Sequence, residues 1–555
     1  MLVGVDVGGT HTDAVLLKEA APGLARKAAE AKSVTRERAM ESLSEALESL
    51  LAGADPSKVR RLTVSTTLGL NSVLTGTADP VGILATSGPG LDLDPKDWGP
   101  LFRLLSGRQD HRGRVLEPPN LTEAAKAAGD LKSLGAAALV CASKFGPKNP
   151  IIEDQLFEAA KKETGLPVME ASRLFGGLNF PRRLAGAVLN AAVKRLYDAF
   201  LDDLKVVTQK LGLACPVFVL KADGGVMEAE KARQSPALAL AAGPAASLLG
   251  LWALSGGLSA EDDQEDVLMV DMGGTSADLA ILSRGRPLLT TRGLTLAGRP
   301  TLVRGLMTRS LALGGDTDIE LENGRAVPKA RRRGPALALA PDEVGTRPPT
   351  LTDALNVLGA AKVGDVAASR EAMRYLKLGS PEEAAKTALA AVLDSLKEAA
   401  GGFVEALNSQ PVYTISDFLV DWRLKPRKAV FLGGPAQALA PLAEKVLGLP
   451  CSAPDGAATA NALGAALATP SIEAELYADT AMGVMSAPTL GRTGEIGQNY
   501  NLEQARRDLL ELMGGGADLL ITAQESFSQV SDAGRSGKVI RVSAQSAPSL
   551  AARVE

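Results

Sequence analysis

Two short blocks of this chain carry residue types suited to phosphate chemistry. Val5-Asp6-Val7-Gly8-Gly9-Thr10-His11-Thr12-Asp13 lies near the start, and Val270-Asp271-Met272-Gly273-Gly274-Thr275-Ser276-Ala277-Asp278 repeats it far downstream. Both read Asp-x-Gly-Gly-Thr-x-x-Asp. Phosphate oxygens need dense hydrogen-bond donors at close range, and paired glycines let backbone N–H groups approach with no Cβ in the way. Gly8 and Gly9, and Gly273 and Gly274, supply them; Thr10, Thr12, Thr275 and Ser276 add hydroxyls. An aspartate facing phosphate needs a hard cation between them, and Mg2+ keeping its waters suits Asp6 and Asp271. Asp13 and Asp278 can anchor the turn's backbone or hold a metal-bound water. Either block alone reads equally well as a glycine hairpin with a turn aspartate. Two copies sharing five positions favour two related halves, with the loops facing each other across a cleft. Gly433-Gly434-Pro435, between a strand and a helix, suits a backbone contact to an adenosine or its α-phosphate. The competing patterns, Gly-x-x-x-x-Gly-Lys-Ser/Thr and a strand-borne Gly-x-Gly-x-x-Gly, are absent from the sequence.

The elements that position these loops can be read from local pattern. Residues 2–7 form a β-branched-rich run closed by the glycine pair, and 14–17 form its return strand. Residues 267–270 and 279–282 repeat that hairpin. Further strands are expected at 62–65, 81–85, 136–142, 216–220 and 429–432. Helices are expected over 40–51, 151–162, 181–210, 381–408 and 457–468, with another beginning near Pro244. This alternation indicates α/β layers. The 181–210 helix, with Pro181 in its first turn, is long enough to bridge two lobes. Residues 255–265 read as a linker and 314–349 as the least regular part of the body. Beyond residue 470 the pattern offers only a helix over 503–513 and a strand near 539–542, and no role.

Composition narrows the classes. With 555 residues, 46% hydrophobic and 22% charged, the chain is expected to form two to four soluble domains. A net charge of −4 and 3% aromatics exclude the basic footprint and stacking platform of a nucleic-acid binder. The run Lys329-Ala330-Arg331-Arg332-Arg333 reads as a solvated loop or a local anion contact. Cys141, Cys215 and Cys451 are far apart, which fits a reducing, cytoplasmic setting without a disulfide framework. Only His11 and His111 are present, which argues against histidine-based metal or triad chemistry. His11 reads as a ring packed beside its hairpin, with a phosphate contact as the other reading. No signal peptide and no apolar run of about 18 residues is seen, so no membrane span is expected.

The two blocks followed by Gly433-Gly434-Pro435 resemble the phosphate and adenosine motifs of the actin-like ATPase and sugar kinase superfamily. More closely, the chain is similar to the hydantoinase/oxoprolinase family. Residues 4–15 and 65–74 carry that likeness, with Ala242-Gly243-Pro244-Ala245-Ala246, Asp271-Met272-Gly273-Gly274-Thr275-Ser276, Pro349-Thr350-Leu351-Thr352-Asp353-Ala354 and Ala460-Asn461-Ala462-Leu463-Gly464-Ala465-Ala466. The resemblance covers about residues 2–470. It implies an α/β fold of two duplicated actin-like ATPase (ribonuclease H-like) lobes around a nucleotide cleft. The implied units are an N-terminal lobe over 1–178, a hydantoinase A-type lobe over 179–470 and an extension over 471–555. It implies ATP and Mg2+ as cofactors and ATP-dependent opening of a cyclic amide such as a hydantoin or 5-oxoproline. The γ-phosphoryl group would activate the amide oxygen before water attacks the carbon. Thr66, Thr67 and Asn71 would lie on the acceptor side, or equally form a helix N-cap cluster. Gly314-Gly315-Asp316-Thr317-Asp318 departs from the glycine run ending in serine that relatives carry there. Many relatives work with a second hydrolytic subunit; that and a homo-oligomer are both open. Two other classes stay in view: an actin-like switch or reactivating protein acting on a protein partner, and a small-molecule kinase.

Overall fold

The structure is a computed structural model and describes residues 1–9, 11–34, 39–90, 93–255, 265–290, 292–409, 423–516, 519–530 and 536–555. Thr10 and most of the expected 255–265 linker lie outside these residues.

Strand Leu2–Val7 is buried almost throughout, as its unbroken apolar run requires of a strand covered on both faces. It sits centrally in a seven-stranded sheet, antiparallel to His11–Ala21 and parallel to Arg61–Thr66. Strand Asp266–Met272 repeats this arrangement in a second sheet, antiparallel to Ala277–Ser283 and parallel to Pro426–Leu432. The registers coincide: Asp6 faces Asp13 and Asp271 faces Asp278. Gly8 N–H donates to His11 O at 3.0 Å, and Gly273 N–H donates to Ser276 O at 2.9 Å. The repeat read from the sequence is therefore a duplicated hairpin with the same closing hydrogen bond.

The expected 178/179 boundary divides the chain rather than the sheets. The first sheet takes strands from residues 2–66, from Val217–Leu220 and Val226–Glu228, and from Arg553–Val554. Residues 81–170 build a separate sheet around Val81–Ser87 and Ala138–Ser143. The long helix is Phe180–Lys210, 31 residues. It does bridge two bodies, but not the two phosphate-loop lobes. Phe180, Leu184 and Ala187 pack on the 81–170 sheet, and Val193, Tyr197, Phe200 and Leu204 pack under the first sheet.

Two helices, Ala242–Leu254 and Ala460–Leu467, join the phosphate-loop lobes through small residues. A Cβ on Gly250 would lie 1.9 Å from Ala460 O, and one on Gly464 would lie 2.0 Å from Ala246 O. Gly4 of the central strand meets the second helix equally closely, 2.1 Å from Ala462 O. These backbones touch because nothing larger than hydrogen stands between them.

The 471–555 stretch, left without a role by pattern, is ordered around a five-stranded antiparallel sheet. Helix Leu502–Leu512 covers its apolar face. Arg112 holds this sheet to the 81–170 body by a bidentate pair to Asp479, 2.6 Å in both arms, with each side chain 8% exposed. Ser486 Oγ donates to Pro147 O at 3.0 Å.

Gly464→Val is expected to destabilise the protein by roughly 3 kcal/mol or more, because backbone rather than a movable side chain occupies the space. Gly434→Ala, with no atom within 4 Å of the added carbon, should be close to neutral. Denaturant unfolding of the two variants tests the contrast.

Candidate functional site

The phosphate loops stand at the ends of the central strands, where parallel strands of α/β sheets open their crevices. Asp6 is 6% exposed. Its Oδ2 accepts from Asn461 Nδ2 at 2.7 Å, and its Oδ1 is buried without a hydrogen-bond partner. Burial leads the rise of its carboxyl to about 7; Asp13 and Asp271 add to that rise, while Ser65 and Asn461 oppose it. Burial likewise raises Asp271, with Asp13 adding, against the Ser247 hydroxyl and Lys32. Aspartates of the two hairpins thus feel one another's charge, so the two loops lie near each other. Asp278, raised to about 7 by burial and by Asp271, accepts from Ser310. Asp13 is tied to Lys32 at 2.9 Å and reached by Asn461 at 3.4 Å.

Gly433 closes one side of the second jaw. Its φ is +88°, and an added Cβ would lie 2.2 Å from Met272 O and 2.9 Å from Asp271 Oδ1. Leu432 lies in register with Asp271, so Gly433-Gly434-Pro435 adjoins the second phosphate loop before helix Ala436–Leu447 begins. The departing loop braces the same turn: Gly315 N–H donates to Gly273 O at 2.9 Å and Asp316 N–H donates to Gly274 O at 2.7 Å. Asp316 pairs with Arg332 at 3.0 Å. Arg331 and Arg333 pair with Glu320, so the basic run is neutralised by nearby acids.

Thr67 N–H donates to Val7 O at 3.3 Å, and Asn71 Nδ2 lies 3.4 Å from Thr67 Oγ1. A Cβ on Gly9 would be 3.8 Å from Asn71 Nδ2, which sets this pair beside the first jaw. Thr66 is buried and its Oγ1 accepts from Leu68 N–H at 3.2 Å, while Thr67 begins the helix Leu68–Leu74 without a side-chain cap. The cap cluster is thus carried by Thr66 alone. Gly8, Gly9, Gly273, Gly274, Thr275 and Ser276 line the jaw tips, and Thr12 is buried beneath them. His11 is not packed into the hairpin: it is exposed, and its electrostatic neighbours include Asp316 and Arg332 of the facing lobe.

Asn461, Ser247 and Lys32 belong to this site and were given no role from sequence. Asn461 sits inside a segment singled out there, but its approach to Asp6 crosses 455 residues of chain. Ser247 donates to Asp271 from the helix Ala242–Leu254. Among the described residues no group of three or more His, Cys, Asp or Glu is placed to hold a metal ion by itself. The orphaned Asp6 Oδ1 and the crowded carboxylates fit a cation that arrives with other ligands.

The family model for hydantoinase/oxoprolinase matches residues 183–474, and that for its N-terminal region matches residues 2–164. The chain belongs to the hydantoinase/oxoprolinase family. Its fold is that of the family, α/β with mixed sheets and actin-like ATPase-type lobes. It is similar to the crystal structure of ATP-dependent caprolactamase from Pseudomonas jessenii, with a TM-score of 0.69 at 17% identity over 98% of this chain and 87% of that one. It is also similar to nucleotide-free acetone carboxylase, with a TM-score of 0.68 at 18% identity over the same shares. An uncharacterized protein of Methanocaldococcus jannaschii is 26% identical over 467 residues, covering 77% of this chain and 66% of that protein, just under two thirds of its length. No helix among the described residues is long and apolar enough to cross a membrane.

An acid whose pKa is higher in the folded than in the unfolded chain binds protons on folding. Its contribution to stability is therefore greatest at low pH and is lost as pH rises through the folded value. Asp6 and Asp278, both raised from 3.8 to about 7, place that loss between pH 4 and 7. Asp6→Asn and Asp278→Asn should each raise the melting temperature of the ligand-free protein more at pH 8 than at pH 5. An increment independent of pH would refute the shift.

Proposed function

We propose that this protein uses ATP to open a cyclic amide of the hydantoin or 5-oxoproline type. The duplicated hairpins, with charge-coupled aspartates facing one cleft, carry the reading. Family membership and a fold shared with an ATP-dependent caprolactamase support it. Gly9 leaves room for a phosphate to approach the first turn, and the Gly433 turn adjoins the second. Asp6 and Asp271 would hold Mg2+ through its waters; the ion supplies neutralisation of charge on the transferring phosphoryl group. Asn461 and Ser247 fix these two carboxylates in place.

A five-membered lactam is a poor electrophile because its nitrogen lone pair is delocalised into the carbonyl. Transfer of the γ-phosphoryl group to the lactam oxygen makes that oxygen a leaving phosphate. Water then adds at carbon, and the ring C–N bond opens with a proton passing to nitrogen, leaving an acyl phosphate that a second water hydrolyses to carboxylate and free phosphate. Thr67 and Asn71 would orient the acceptor; the nearness of Asn71 to Gly9 supports this. Phosphoryl transfer asks chiefly for positioning and charge neutralisation, which a site without a histidine triad can provide.

ATP turnover with and without hydantoin and 5-oxoproline tests the reading. The expected result is stimulation of at least about tenfold with a ring-opened product and free phosphate. A stable phosphorylated product would mark a kinase. Turnover that only an added protein stimulates would mark a switch. Asp271→Asn should lower stimulated turnover by at least about a hundredfold without lowering the melting temperature, since it removes a buried, repelled charge. Full activity in that variant would remove Asp271 from the mechanism.

A further inference from the structure

The five-stranded sheet of residues 473–546 carries a polar face that is roofed by protein. On strand Glu473–Asp479, alternate residues Ala474, Leu476 and Ala478 enter the apolar core with Ile540, Val542 and Ala544. The intervening residues meet polar partners directly across the ladder: Glu473 faces Gln545, Glu475 faces Ser543 and Tyr477 faces Arg541. In an antiparallel sheet such a face ordinarily meets water. Here residues 175–179, 289–290 and 292–304 lie over it, framing a half-open cavity of about 330 Å3. That volume lies at the lower end of small-molecule sites.

Gly176 lies over the sheet, and Gly177 packs against the other half of the roof. A Cβ on Gly176 would lie 3.6 Å from Glu475 Cβ, and one on Gly177 would lie 2.8 Å from Leu302 Cδ1. Tyr477 Oη donates to Gly176 O at 2.9 Å and fastens roof to sheet. The floor is interrupted at the cavity by a β-bulge, where the register of strand Leu519–Val530 slips between Ile521 and Ala523 and leaves Thr522 on the lining. Bulges of this kind gather beside functional sites.

The lining carries both signs of charge. Arg304 pairs with Glu473 at 2.5 Å, and Arg541 pairs with Glu475 at 3.2 Å. Ser543 is 2% exposed, lines the cavity, and its Oγ has no hydrogen-bond partner. Burial raises the Glu473 carboxyl although Arg304 and Lys221 pull it down; Asp223 and Glu475 add to the rise. Arg292 adds a third guanidinium to the lining. A molecule bearing one ammonium and one carboxylate would satisfy acids and guanidinium groups together. Phe175, Leu178 and Leu302 supply apolar wall for the carbons between.

We propose that the cavity between residues 175–179, residues 289–290 and 292–304, and the C-terminal sheet binds a small zwitterion, an amino acid with free ammonium and carboxylate groups. The ammonium lies against Glu473 and Glu475, and the carboxylate meets Arg541 and the Ser543 hydroxyl. Ring opening of a lactam releases a molecule of this class. That link, unlike the site itself, rests on the proposed cyclic-amide chemistry.

Calorimetric titration of the full chain without nucleotide keeps the two ideas apart. The probes are L-alanine, 4-aminobutanoate and 6-aminohexanoate, with butanoate and butylamine as single-charge halves. The expected result is saturable binding of at least one zwitterion, with both halves weaker by at least about tenfold. Glu473→Gln and Ser543→Ala should each weaken that binding severalfold while ATP binding is unchanged. Thr489→Phe, which narrows the cavity from its rim without touching a charge pair, should abolish it and serves where the other variants fail to fold. Absence of binding by every zwitterion, butanoate binding as tightly as its zwitterion, or binding indifferent to all three variants would overturn the proposal.

Discussion

The structure depends on a contact between backbones. Helices Ala242–Leu254 and Ala460–Leu467 meet at Gly250 and Gly464, and the second also lies on Gly4 of the first central strand. Side chains there would hold the elements several ångströms apart. With only hydrogen between them, each helix can present a polar side chain to the cleft from the same central position. Ser247 leaves the first helix for Asp271, and Asn461 leaves the second for Asp6. Interiors packed at this density transmit strain rather than absorb it. The spacing of the two jaws therefore depends on the glycine packing behind the phosphate loops.

Charge in the cleft follows from that spacing. Burial raises the proton affinity of Asp6 and Asp271, and the neighbouring carboxylates add to it, Asp13 and Asp271 on Asp6 and Asp13 on Asp271. Left alone, such carboxylates cost stability above neutral pH. A cation arriving with its own phosphate ligands would relieve them, so the same repulsion that burdens the ligand-free fold favours occupancy.

The C-terminal sheet belongs to this architecture rather than hanging from it. It is clamped to the 81–170 body by Arg112 and Asp479, and strand Arg553–Val554 joins the first sheet beside Leu24–Val34. Lys221 donates to Asp223 and to Ser471 O at 3.0 Å each, tying the strand after the long helix to the start of the C-terminal unit. Its polar face lies where the helix Phe180–Lys210 begins, so occupancy of that cavity would be felt at the junction of three bodies.

Much of the fold and part of the site were legible in the chain itself. A glycine pair between β-branched runs is a local signal. So the strands Leu2–Val7 and Asp266–Met272, their return strands and the turn between them follow from neighbouring residues. The same is true of the long helices, whose apolar stripes repeat within a few turns. Thr67 and Asn71, placed by resemblance, do lie beside Gly9. What local pattern could not supply was any pairing across distant sequence. It did not reveal that the long helix joins two sheets of the N-terminal half, or that the basic run is cancelled by Asp316, Asp318 and Glu320. Local pattern offered no element for Glu473-Ala474-Glu475-Leu476-Tyr477, which the fold shows to be a strand with its polar face covered. Sequence determines which residues share a turn or a face, because backbone periodicity is local. Only tertiary packing decides which faces meet, and here it decided the partners of Asp6 and Asp271 through helices that touch backbone to backbone.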